Sequence, residues 1–108
     1  MNNGPVSISP SSLLWHGVKE GNYGAIKTVT VHNYGKRDLK MGGVVLGANP
    51  EDFPGKSQTC TGLVHPSETC VENMVFAPHG VGTRTAVLRL TDNYGNVVDV
   101  PLTGTGTQ

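Results

Sequence analysis

Apolar and polar residues alternate along most of this chain with a period of two, the spacing of a half-buried β-strand. Val6-Ser7-Ile8-Ser9 begins the pattern, Pro10-Ser11-Ser12 breaks it and Leu13-Leu14-Trp15 resumes it, which predicts a first strand split in two. Gly21-Asn22-Tyr23-Gly24 reads as a turn. From Ala25 to Asn33, Val29 and Val31 share one face of a second strand, and Thr28, Thr30 and His32 share the other. Leu39-Lys40-Met41 alternates in one phase and Val44-Val45-Leu46 in another, so a bulge at Gly42-Gly43 is expected to reset the inward face. Gly47 to Gln58 holds two prolines, two glycines and one large apolar residue, Phe53, and reads as a loop anchored by a single ring. Beyond it Cys70, Glu72, Met74 and Phe76 fall on one face, a Pro78–Gly82 crossover follows, and Ala86, Leu88 and Leu90 point together. Asp92-Asn93-Tyr94-Gly95-Asn96 is a hairpin turn, and Val98, Val100 and Leu102 complete the core face. With no amphipathic helix, the pattern predicts an all-β fold: an immunoglobulin-like β-sandwich of about seven strands in two antiparallel sheets.

Composition narrows this picture. At 108 residues the chain has room for one core, so residues 6–107 are expected to form a single sandwich domain preceded by a disordered lead over 1–5. Val, Leu, Ile and Phe contribute 26 residues, 14 of them Val, which favours strands. Fifteen Gly and seven Pro suit a protein with many turns. Eight basic and eight acidic side chains cancel without any run of one sign, which argues against nucleic acid or an anionic membrane as partner. No stretch is long and apolar enough for insertion into a membrane. The Pro-broken, polar first strand looks guarded against edge pairing, so the isolated chain is expected to be a monomer.

Cys60 and Cys70 are the only cysteines. Their positions at the edges of strand-like segments favour a disulfide over two buried thiols, and a disulfide implies an oxidising compartment. Nothing near Met1 resembles an export signal. The two observations agree if the chain is a piece of a longer precursor, with Met1 supplied for expression, and the expected location is extracytoplasmic: periplasmic, cell-surface or secreted.

The order of these features resembles a family. Leu14-Trp15-His16-Gly17, Asn33-Tyr34-Gly35 before an apolar strand at Leu39, Gly47-Ala48-Asn49 leading to Asp52-Phe53, Phe76-x-Pro78 with Gly82-x-Arg84, and Leu102-x-Gly104-x-Gly106 together resemble the choice-of-anchor D and abnormal-spindle/hydin-type immunoglobulin-like domains. These are related to the PapD-like and major-sperm-protein sandwiches. The resemblance spans Val6 to Thr107 and rests on order and spacing rather than on one motif. It implies the sandwich fold and fits Cys60 and Cys70 to the cysteine pair of bacterial members; Trp15 stands where the family usually has Phe, and Glu72 where it has an apolar residue.

Several residues invite a chemical reading. Glu72 is an inward charge, explained either by an edge position or neighbouring Lys or Arg, or by a Lys27–Asn33 amide crosslink beside a buried acid. Trp15 reads as a core or edge plug rather than a sugar platform. The triplet Asn-Tyr-Gly occurs at Asn22, Asn33 and Asn93, each at an expected turn, which is ordinary turn chemistry. In a sandwich of this type the turns at Tyr34 and Tyr94 share one end, with the Val64-His65-Pro66 loop beside them, so Tyr34, Tyr94 and His65 are candidate binding residues. His16, His32, His65 and His79 have no metal-ligand spacing, and Asp92, Asn93, Asn96 and Asp99 lack the spacing of an EF-hand loop. No nucleophile elbow or phosphate loop is present, so neither catalysis nor a cofactor is expected. The expected function is a non-catalytic structural or adhesive module, one domain of a larger bacterial surface or secreted protein, with neighbouring domains or a protein or glycan ligand as partner. A carbohydrate- or peptide-binding module using the loop tyrosines is the alternative, and an intracellular cytoskeletal or ciliary scaffold the third reading.

Overall fold

The computed structural model describes residues 6–108, so the expected lead over 1–5 lies outside the described residues. Among the described residues ten strands form: β1 (Val6–Ser9), β2 (Leu13–Lys19), β3 (Lys27–Asn33), β4 (Leu39–Lys40), β5 (Gly42–Leu46), β6 (Gly55–Gln58), β7 (Leu63–Val64), β8 (Thr69–Met74), β9 (Gly82–Thr91) and β10 (Val97–Thr107), with one 3-10 turn at Pro50–Asp52. They build a first sheet ordered β1-β3-β8-β6, a second ordered β2-β10-β9-β5, and a small β4-β7 pair.

The split first strand is real, and its halves belong to different sheets: β1 pairs antiparallel with β3, while β2 runs parallel to β10. That parallel pair is the exception in an otherwise antiparallel sandwich. Period-two alternation sets the core. Val29 and Val31 of β3, Cys70 and Met74 of β8, Leu88 and Leu90 of β9, and Val100 and Leu102 of β10 are all buried between the sheets. Towards one end the rings of Trp15, Phe53 and Phe76 pack together, Phe53 and Phe76 with centroids 5.0 Å apart. Trp15 is buried and donates its indole N–H to the Ala25 carbonyl at 2.7 Å, which satisfies its polar atom; of the core and edge positions expected for it, it takes the core.

Two expectations need correction. No bulge occurs at Gly42-Gly43; β5 pairs with β9 in unbroken register, and the change of phase arises because the chain leaves the β4-β7 pair at Met41 and enters the second sheet. The irregularities lie elsewhere, between Gly104 and Gly106 and between Gly55 and Ser57. The second correction concerns the loop from Gly47 to Gln58, whose last four residues form β6 against β8, an exposed edge strand that alternation could not reveal because Gly55-Lys56-Ser57-Gln58 buries nothing.

Candidate functional site

Three loops meet at one pole. Asn33 fastens two of them: its buried amide donates to the carbonyls of Arg37 at 2.8 Å and Val64 at 2.9 Å, while its Oδ1 accepts from the Gly35 amide at 2.9 Å. Its backbone N–H and C=O bond the Glu68 carbonyl and Ser67 amide. The third loop is held by Asp92, whose carboxylate accepts from the amides of Tyr94 and Asn96 and from the Asn96 side chain, with Gly95 at positive φ completing the turn. Asn93 Oδ1 accepts from the Lys40 amide at 2.9 Å and ties this turn to β4, just past the first loop.

The candidate binding residues stand on this frame. Tyr94 is 47% exposed; its hydroxyl donates to the Asp38 carbonyl at 3.4 Å, and the Arg37 guanidinium carbon lies 5.4 Å from its ring centroid. His65 Nδ1 meets Asp38 Oδ1 at 2.7 Å, and the His65 amide donates to Glu68 Oε1. The hydrogen bond to Asp38, with the charges of Asp38 and Glu68, raises the His65 pKa above its ordinary value. Tyr94 and His65 are thus linked through Asp38. Tyr34, 66% exposed, stacks instead on the His32 ring at 4.0 Å. An open hollow of about 300 Å³ lies beside Tyr94, lined also by Gly35, Lys36, Arg37, Leu39 and Asn96. Exposed phenols, a guanidinium and an imidazole suit recognition by stacking and hydrogen bonding.

Asp99, at the far side of the last hairpin, is ion-paired with Arg89 through bonds of 2.8 and 3.0 Å. That pairing holds the Asp99 carboxyl below its usual pKa despite the opposing effect of burial. Among the described residues no three His, Cys, Asp or Glu side chains converge as metal ligands.

At the opposite pole sits a charge cluster that sequence reasoning missed. Asp52 is fully buried, with Oδ1 2.7 Å from His79 Nδ1 and Oδ2 2.6 Å from Arg84 Nε, while its carbonyl accepts from the Ala77 amide. Burial alone would raise the Asp52 pKa, but hydrogen bonds from Arg84 and His79 and the Arg84 charge outweigh it and hold the carboxyl below its usual value. Asp52 and Arg84 both stand in the spaced pattern that carries the family resemblance, but nothing in the sequence pairs them with each other or with His79.

Cys60 and Cys70 form a disulfide with Cα atoms 4.9 Å apart, joining the loop after β6 to β8. Glu72 is on the inner face of β8 and 6% exposed. Neither explanation offered for it holds: β8 is interior to its sheet, and no Lys or Arg pairs with the carboxylate among the described residues. Its neighbour is Gln58 on β6, whose amide nitrogen, turned towards the carboxyl, donates at 2.6 and 3.1 Å. Burial raises the Glu72 pKa. Lys27 and Asn33 occupy opposite ends of β3, about 20 Å apart at 3.3 Å per residue, so they form no crosslink.

No family model matches this chain, and no curated protein sequence matches it. Solved structures do. The ASH/PapD-like domain of human CEP192 superposes with a TM-score of 0.76 at 15% identity, over 100% of this chain and 91% of that one. The major-sperm-protein family member WR4 of C. elegans follows the same path, with a TM-score of 0.63 at 11% identity over 95% and 100% of the two chains. The fold is a PapD-like immunoglobulin sandwich. Part of the secreted serine protease VesC of Vibrio cholerae also superposes, with a TM-score of 0.66 at 17% identity, over 94% of this chain and only 23% of the protease. At these identities the likeness extends to the PapD-like sandwich itself and no further.

Proposed function

We propose that this PapD-like sandwich is a non-catalytic protein-interaction module that acts outside the cytoplasm as one domain of a larger bacterial surface or secreted protein, of the choice-of-anchor D type. The observation that carries the reading is the pole where Tyr94, Arg37, Asp38 and His65 are held by buried Asn33 and by Asp92 on a rigid frame. Recognition by exposed rings costs little when the loops are already ordered. The Cys60–Cys70 disulfide supports an oxidising location.

The test is selection of a displayed peptide library on the purified domain, followed by binding to the Tyr34→Ala/Tyr94→Ala variant. Binders that lose about tenfold or more in affinity on that variant support the pole as the site; binders indifferent to it, or none at all, sink this reading. The carbohydrate alternative draws on the same exposed rings. A glycan array on which the domain binds and the double variant does not would favour it.

A further inference from the structure

The four strands at the rims of the two sheets are not equally protected. β1 is polar and precedes Pro10, β2 carries His16 and Lys19, and β6 carries Lys56 and is exposed throughout. β5 is different. Its five residues, Gly42-Gly43-Val44-Val45-Leu46, contain no charge and no proline, only one side pairs with β9, and no other backbone hydrogen bond reaches them among the described residues. Val44 is 49% and Leu46 38% exposed on the outer face. Proteins ordinarily blunt an apolar edge of this kind with a lysine, a proline or a bulge. The expectation of a monomer rested on the guarded first strand and does not extend to β5.

We propose that β5 is a self-association edge: two copies of this chain pair antiparallel along Gly42–Leu46 about a twofold axis through Val44, joining their second sheets into one of eight strands. Three observations favour a second copy over another partner. Antiparallel pairing centred on Val44 sets Val44 against Val44 of the second copy and Leu46 against its Gly42, a large residue over a vacant position, on the same outer face. On the inner face Gly43 meets Val45 of the second copy, and Gly43 is where Leu90 and Glu72 already crowd from within, 3.2 and 3.3 Å from where a Cβ would lie, so the absence of a side chain there is again met by a residue that has one. Charge does not oppose the encounter, because the chain is formally neutral and Arg89, next to Val44 across the strands, is already neutralised by Asp99. Five paired residues a side bury less than a standard interface, so the dimer is weak and forms only at high protein concentration.

Sedimentation equilibrium tests this directly. The mean mass of the wild-type protein is expected to rise from the monomer towards the dimer between about 10 μM and about 1 mM, the range for a small interface. Val44→Lys, whose side chain points to solvent, should remain a folded monomer throughout, and Leu14→Lys, on the outer face of the opposite rim of the same sheet, should dimerise like the wild type. Val44→Cys places two thiols on the twofold axis in a protein whose own cysteines are bonded, and is expected to give an oxidised dimer on SDS gels at least tenfold faster than Leu14→Cys. A wild-type protein monomeric at 1 mM, a Val44→Lys variant that still dimerises, or equal crosslinking at positions 14 and 44 overturns the proposal.

Discussion

Asp52 and Glu72 are both buried carboxyls, and their surroundings drive them in opposite directions. Asp52 is bonded to Arg84 and His79, and its folded pKa lies below the ordinary value. Its contribution to stability is therefore complete above the unfolded pKa, about 4, and is lost as pH falls through the folded value. Asp52→Asn leaves Arg84 without its partner and is expected to cost about 2–3 kcal/mol at pH 7 in urea unfolding, a difference that shrinks below about pH 4. Glu72 has only Gln58, and burial raises its pKa. Its contribution is present below the unfolded pKa and lost as pH rises through the folded one, so this group makes the fold less stable as pH rises. Glu72→Gln is expected to gain about 1 kcal/mol at pH 7 and nothing below about pH 4, as thermal melts at the two pH values would show. The inward position of Glu72 was legible from alternation. The Asp52 cluster was not, because its partners lie 27 and 32 residues away and no local pattern links them.

At the scale of elements, what alternation conveyed was which strands have a buried face, and it did so well for β3, β8, β9 and β10. It could not convey β6, which buries no side chain, or the change of sheet at Met41, because a strand that changes partners and a strand that bulges give the same shift of phase. The terminal glycines show how a spacing acquires a cause. A Cβ on Gly104 would lie 2.5 Å from the Phe76 ring, and one on Gly106 would collide with the Gly80 carbonyl, so the strand can pass the crossover only without side chains at both places. Gly106→Ala is expected to destabilise by about 2 kcal/mol in denaturant titration, since backbone rather than a flexible side chain would have to move. The disulfide acts on another element. It closes a loop of ten residues between the end of β6 and the start of β8, and replacing both cysteines with alanine is expected to lower stability by about 3 kcal/mol, measured by the same titration.

For the molecule as a whole, the two poles divide the work: at one, aromatic and charged loops are presented to solvent, and at the other, Asp52 clamps the crossover behind the Trp15-Phe53-Phe76 cluster. Connecting them is β10, which lies between β2 and β9 and, among the described residues, is the only strand that β2 contacts through a ladder. Removing residues 97–108 is expected to abolish the cooperative melt, because it leaves β2 without a partner strand and β9 with β5 alone, and uncovers the inner row around Trp15. The same arrangement governs how the chain can fold while it is being made. As it leaves the ribosome, residues 13–19 emerge early and must wait, unpaired, until residues 97–107 have followed them out. During that interval the first sheet and the β5-β9 pair of the second can assemble, but β2 cannot join them, so the nascent chain holds the inward row of Leu13 and Trp15 open to any passing chaperone until β10 has emerged.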